Sequence, residues 1–251
     1  MVAYTAERRV RLPVPWAGRL TQTSVHWAHP AQAVRALVPK PLVVEEYDGS
    51  AWGGLTPFVM ADVRPAGVPA RVPGLPTFAE TGLRTYVRHP NGRDGLWFLS
   101  LEVACPVIPA ARAIGAPFHR GALQVTRGGK TVRYTGRRRP GHASCRLAVR
   151  SGDPIERPAE RDVRLTSRRR AYTRRLGLLW ETPVAHEPWP LATATVEELR
   201  ETLTAGAGPP APAGEPVVHF SDGVGQVWMG ASVPARRRPG TGPAGTVGGR
   251  G

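Results

Sequence analysis

Lysine is almost missing from this chain: of 34 basic residues only Lys40 and Lys130 are lysines, and the other 32 are arginines. An imine-forming enzyme needs an uncharged primary amine in a dry site, and Lys130, at the edge of the Gly128-Gly129 turn, is expected to stay solvated and protonated. Cysteine is equally sparse. Cys105 and Cys145 are far fewer than a secreted disulfide scaffold uses and show no paired metal spacing, so a reducing, cytoplasmic setting is expected. No apolar run approaches a membrane span, and the first residues lack the apolar core of a signal peptide, so no membrane partner is expected. None of Ser24, Ser100, Ser144 or Ser221 lies in a Gly-x-Ser-x-Gly setting, which leaves a hydrolase triad unsupported. Asp222-Gly223-Val224-Gly225 precedes neither a helix pattern nor a Gly-Lys-Ser/Thr element, so it makes no phosphate cradle. His26 and His29 have no third ligand at fixed spacing. No metal and no cofactor is expected.

What the chain has is arginine, 29 glycines, 27 prolines and a net charge of +15. A basic excess is the footprint of nucleic-acid binding, but here the arginine dominance matches the coding bias of a GC-rich genome. The clusters Arg137–Arg139 and Arg168–Arg170, with Arg174 and Arg175, are not interleaved with RNA-reading aromatics. Nucleic acid therefore stands as a second alternative, one that requires those clusters to share a surface. At 41% hydrophobic residues the 251-residue chain can bury one large core. A single domain over 1–234 is expected, followed by a disordered basic tail over 235–251 with almost no apolar side chains. Self-association is left open.

Turn dipeptides set the architecture. Asp48-Gly49 joins Leu42–Tyr47 to Ala51–Val59, Asn91-Gly92 joins Leu83–Arg88 to Leu96–Val103, and Gly128-Gly129 joins Ala122–Thr126 to Thr131–Thr135; all three are hairpin signals. Arg169–Arg175 and Leu178–His186 form another pair around Gly177, and Cys145–Arg150 adds a strand. Three short helices are predicted: Pro30 to Val38, Val107 to Ile114, and one opened by Thr195-Val196-Glu197-Glu198 as a capping box and running to about Leu203. The Pro-rich loop Arg64–Pro76 is either a cover for a barrel mouth or a plain connector. The fold class is mainly β.

Several separated motifs carry a family resemblance: Val25-His26-Trp27, Asp48-Gly49-Ser50-Ala51-Trp52-Gly53-Gly54-Leu55-Thr56-Pro57-Phe58, Leu83-Arg84-Thr85-Tyr86-Val87, His186-Glu187-Pro188-Trp189-Pro190-Leu191 and His219-Phe220-Ser221. Over roughly 10–233 the chain resembles the YqjF-like family, an uncharacterised branch of the acetoacetate decarboxylase-like superfamily. The resemblance implies an antiparallel β-barrel or cone with a few short helices. It also implies that Glu80 matches the decarboxylases' pocket glutamate, and that Gly115-Ala116-Pro117-Phe118-His119 matches their Gly-x-Pro-Lys-Lys segment with both lysines replaced. Neither Phe118 nor His119 can form an imine, so Schiff-base decarboxylation is not expected.

The candidate catalytic residues are Glu80 and His119, with Arg84, Tyr86, Trp52, Phe118, Arg120 and His26 as candidate ligand contacts. Arg84 lies four residues beyond Glu80 and so on the same strand face. Either the two bind a polar ligand or they cross-link the barrel structurally. His119 is a general acid or base, or a hydrogen-bonded structural histidine. His186 and His219 read as polar anchors at strand ends. The resulting expectation is a small-molecule-binding barrel, with Glu80 and His119 facing one cavity enclosed by strands. It would perform acid–base chemistry, lyase- or isomerase-like, on a small carboxylate or carbonyl compound without a Schiff-base lysine. The alternative is a non-catalytic ligand-binding or sensor module.

Overall fold

Along most strands apolar side chains recur at every second position, and the chain folds as that pattern requires. The computed structural model describes residues 14–17, 20–61, 77–105, 115–212 and 214–236. In chain order these form β1 (Val14–Ala17), β2 (Leu20–His29), helix α1 (Ala31–Arg35), β3 (Val43–Val44), β4 (Glu46–Tyr47), β5 (Ser50–Ala61), β6 (Thr77–Arg88), β7 (Asp94–Val103), β8 (Phe118–Gly128), β9 (Thr131–Arg138) and β10 (Ser144–Pro154). Helix α2 (Glu160–Thr166), β11 (Arg170–Arg175), β12 (Leu178–His186), β13 (Ala192–Glu201), helix α3 (Leu203–Ala207), β14 (Val217–Ser221), β15 (Val227–Met229) and β16 (Val233–Pro234) complete the described chain.

Strands β6, β7, β8, β9, β10, β13, β14, β2 and β5 pair in that order, and β5 returns to β6, which closes a barrel of nine strands. The pairings are antiparallel except that β7 runs parallel to β8 through its C-terminal half and parallel to β11 through its N-terminal half. That split lets a second sheet of β11, β12, β15 and β1 branch away from the barrel. All four expected hairpins are present, and Asp48, Gly49, Gly92, Gly129 and Gly177 have the positive φ that their turns need.

One expected element is of the wrong kind. Thr195–Glu198 lies in strand β13, paired with β10 from Cys145↔Glu201 to Pro154↔Ala192. Ala194 and Val196 turn to the barrel core while Thr193, Thr195 and Glu197 are exposed. This period of two and the cross-strand pairing override the helix propensity of Glu-Glu-Leu-Arg, and helix starts only at Leu203. Helix α2 was not anticipated. The expected helix Val107–Ile114, the loop Arg64–Pro76 and the tail beyond Arg236 lie outside the described residues. Ala235 and Arg236, placed in that tail by sequence, are held: the Ala235 N–H donates to Leu179 O, and Asn91 Nδ2 donates to Arg236 O.

The barrel interior is filled. Val25, Trp27, Leu55, Leu83, Val132, Tyr134, Leu147, Val149 and Phe220 meet there in one buried cluster, with Leu99 and Val125 against it. Among the described residues the expected cavity enclosed by strands is not seen at this level, because the inward positions of the ring carry branched and aromatic side chains. Strands β5 and β6 are buried on both faces, whereas β9 alternates buried with exposed. The reason is that α2 and the second sheet cover the outer face of β2, β5, β6 and β7. A second apolar cluster fills part of that interlayer: Met60, Phe78 and Val103 from the barrel wall against Val224, Val227, Val184 and Trp189.

Candidate functional site

Register assigns each candidate to a face. Glu80 lies opposite Phe58 and Val103, and Arg84 opposite Gly54 and Phe98, so both point outward from the barrel into the interlayer. Phe118 pairs with Leu101 and Arg120 with Val103, which puts them on the same side, Phe118 packed in the apolar cluster and Arg120 exposed. His119 pairs with Glu102, whose side chain belongs to the other face, beside Ser100 and Arg138. Glu80 and His119 thus lie on opposite sides of one wall, and the expected convergence does not occur. Adjacent strand residues alternate, and Phe118, not His119, shares the face of Glu80.

The expected Glu80–Arg84 pair does not form either. Among the described residues no cation or hydrogen-bond donor reaches the Glu80 carboxyl, and burial pushes its pKa up to about 8. At neutral pH it is a carboxylic acid, able to donate a proton. Arg84 is buried with no carboxylate at ion-pair distance among the described residues. Its Nη2 donates to Leu165 O at 3.4 Å, and its Nε has no partner among the described residues.

Around Arg84 the interlayer is polar. Gly54 of β5 lies opposite both His26 and Arg84, and a Cβ there would stand 2.7 Å from His26 Cδ2 and 3.4 Å from the Tyr86 hydroxyl, so glycine is what lets the imidazole lie across the sheet. His26 is fully buried, and among the described residues neither ring nitrogen makes a hydrogen bond of normal geometry, although the Val217 and Leu165 carbonyls lie near the ring. Burial holds its pKa well below the ordinary value, helped by the Arg84 and His219 charges, while the Val217 and Leu165 carbonyls pull the other way. The His26 ring centroid is 5.9 Å from that of His219 and 6.2 Å from that of Tyr86. Tyr86 donates to Leu165 O at 2.7 Å, with the Arg168 guanidinium stacked over its ring. Thr56 Oγ1 and His219 Nδ1 are likewise buried without a partner among the described residues. Five such atoms, from His26, Thr56, Arg84 and His219, share one face of β14, β2, β5 and β6.

Helix α2 closes this cluster from above. Glu45 and Asp94 both bind Arg168, Glu45 also binds Arg164 at 3.1 Å, and these pairs tie the helix end to β7 and to the chain just before β4. Outside Tyr86 and Leu165 a cleft bordered by Glu45, Trp52, Arg164 and Arg168 has a free volume of about 10 Å³, room for about one water. Trp52 donates to Tyr47 O at its rim. A larger concavity of about 660 Å³ opens on the far outer face, at Thr135, Arg137, Arg146 and Arg200. It holds none of the candidate residues and, among the described residues, no buried polar atom without a partner. Lys40 and Lys130 are both exposed. Among the described residues no group of three or more His, Cys, Asp or Glu could hold a metal, and no helix is long and apolar enough to cross a membrane.

The family DUF2071, described as an uncharacterized conserved protein, matches residues 21–225. The chain belongs to that family. This DUF2071 chain is 31% identical over 217 residues to Uncharacterized protein YqjF of Bacillus subtilis, covering 82% of this chain and 88% of YqjF. In three dimensions it is similar to acetoacetate decarboxylase from Legionella pneumophila, with TM-score 0.63, 12% identity, and 94% and 93% of the two chains covered. The enduracididine biosynthesis enzyme MppR, complexed with pyruvate, gives TM-score 0.64 at 15% identity over 92% of this chain and 94% of that one. At these identities the likeness establishes the acetoacetate decarboxylase-like fold. Within this DUF2071 chain the two positions that resemble the decarboxylase lysines are Phe118, on the same face of the barrel wall as Glu80 and packed in the apolar cluster, and His119, on the opposite face.

Sequence reasoning set Glu80, His119, Arg84, Tyr86, Trp52, Phe118, Arg120 and His26 about a cavity enclosed by strands; the structure brings Glu80, Arg84, Tyr86, Trp52, Phe118 and His26 to the interlayer face instead. Sequence reasoning read His219 only as an anchor at a strand end, and missed Thr56, Asp162 and Leu165. The Asp162 link to His219 depends on a helix of seven residues, too short to leave a clear periodic signal.

Proposed function

We propose that the protein binds a small carboxylate or carbonyl compound in the interlayer around Arg84. The observation that carries this reading is a buried guanidinium with no carboxylate partner among the described residues, surrounded by buried donors and acceptors that lack partners. A buried charge is costly unless it is paired, and a planar guanidinium matches a carboxylate. His26, Thr56 and Tyr86 stand ready for the rest of such a molecule, with Trp52 at the entrance and Phe118 on its apolar side. A protein of this fold, MppR, is complexed with pyruvate. That compound is a small oxo acid of the proposed class.

Neutral imidazoles and a protonated Glu80 supply groups for acid–base chemistry of a lyase or isomerase kind, by proton transfer and without an imine. Pocket occupancy alone also accounts for Arg84, so a non-catalytic binding or sensor module is the second reading. His119, on the other face, is not part of the proposal. The arginines Arg138, Arg168 and Arg170 are engaged by Glu102, by Glu45 and Asp94, and by Glu181, which favours a structural role for much of the basic charge over a nucleic-acid surface.

A thermal-shift screen against keto acids, hydroxy acids and lactones tests the reading, because a ligand that prefers the folded form raises the melting temperature. A small carboxylate should stabilise the parent, and Arg84→Gln should stay folded while losing the shift. No stabilising compound, or an equal shift in the variant, would refute it.

A further inference from the structure

His219 is more than an anchor at the end of a strand. Its backbone is fixed between Ser24 of β2 and Thr193 of β13, and its side chain is buried. Across the interlayer, Asp162 of α2 is held by the Ala159 N–H, which donates to Oδ2 at 2.9 Å, and its Oδ1 lies 3.1 Å from His219 Nε2. An ionised carboxylate can only accept, so Nε2 carries the ring proton and Nδ1 is left with a lone pair. That Nδ1 is buried and has no hydrogen-bond partner among the described residues, on the face it shares with His26, Thr56 and Arg84. A carboxylate that sets the tautomer of an imidazole and leaves its other nitrogen with a lone pair is the arrangement of a general base.

We infer that Asp162 and His219 form a general-base pair that removes a proton from the carbon next to the carbonyl of a small 2-oxo acid held by Arg84. This rests on the pocket reading above. In the step, His219 Nδ1 takes the proton, the C–H electron pair becomes the carbon–carbon double bond of an enolate, and the carbonyl π pair moves onto oxygen, where a hydrogen-bond donor of the same cluster stabilises it. Return of a solvent-derived proton from His219 restores the oxo acid. No oxidant or second reactant is required, and in heavy water the carbon exchanges hydrogen for deuterium. Asp162 acts through His219 as a positioning residue.

Pyruvate in heavy water, followed by loss of its methyl proton signal, reads the step directly. The parent should speed exchange above buffer. His219→Gln should lose the rate by about 100-fold or more, and Asp162→Asn by about 10-fold or more, while pyruvate still raises the melting temperature of both. Exchange at the parent rate in His219→Gln overturns the inference. So does a parent that pyruvate stabilises but that exchanges no faster than buffer, an outcome that leaves the pocket reading standing. Absence of both stabilisation and exchange with pyruvate and 2-oxobutyrate overturns the inference too, and the pocket reading falls with it if no hydroxy acid or lactone of the screen stabilises the protein either. Should His219→Gln fail to fold, ring nitrogen-15 shifts of the parent decide: protonation at Nε2 is expected, and at Nδ1 would overturn the assignment.

Discussion

Glu80 lies opposite Phe58 and Val103 and two residues from Phe78, so its ionised form would be largely desolvated, with no cation nearby among the described residues. Its pKa in the fold is about 8 against an ordinary 4.5. Below the ordinary value both folded and unfolded chains hold the proton. Between the two values the unfolded chain releases it and the folded chain keeps it, so stability falls as pH rises through that window. Relative to Glu80→Gln, the parent should lose on the order of 4 kcal/mol between pH 4 and pH 8, measured by urea unfolding at a series of pH values. Parallel profiles would contradict the burial argument. Glu80 was legible in the sequence because a carboxylate stands out in an apolar strand. His119 was misplaced because a one-residue difference reverses the face of a strand, and the segment before Phe118 offers no pattern from which to read register.

At the scale of elements, hairpins were readable because positive-φ turns demand Gly, Asn or Asp, as at Asp48-Gly49 and Asn91-Gly92. Strand β13 was not, because Thr195-Val196-Glu197-Glu198 satisfies the local rule for a helix start while its neighbours satisfy the rule for a strand. A register shift opposite Ala148 and Val149 of β10 further blurs the alternation. Cross-strand pairing, which is not local, decides. Val196→Ala should therefore cost about 1–2 kcal/mol through lost core packing, and Thr195→Ala, exposed, about 0.5 kcal/mol or less. Equal costs in chemical denaturation would argue against the strand.

At the scale of the whole molecule, the strands enclose a solid core and the polar space lies outside them, under α2 and the second sheet. Sequence patterning indicated a β-barrel but not which face would be covered, since β5 and β6 are apolar on one side and mixed on the other. The mixed side is covered because Arg168, Glu45 and Asp94 draw α2 down onto it. Several arginines that inflate the net charge are spent as internal counter-ions in this way, Arg138 on Glu102 and Arg168 on two carboxylates among them. A crystal structure of the protein with a stabilising oxo acid from the thermal-shift screen tests the location of the site most directly. The account predicts ligand density in the interlayer, its carboxylate against Arg84 and its remaining polar atoms against His26 or Thr56. Density in the concavity at Arg137, Arg146 and Arg200, with the interlayer closed and empty around Arg84, would contradict it.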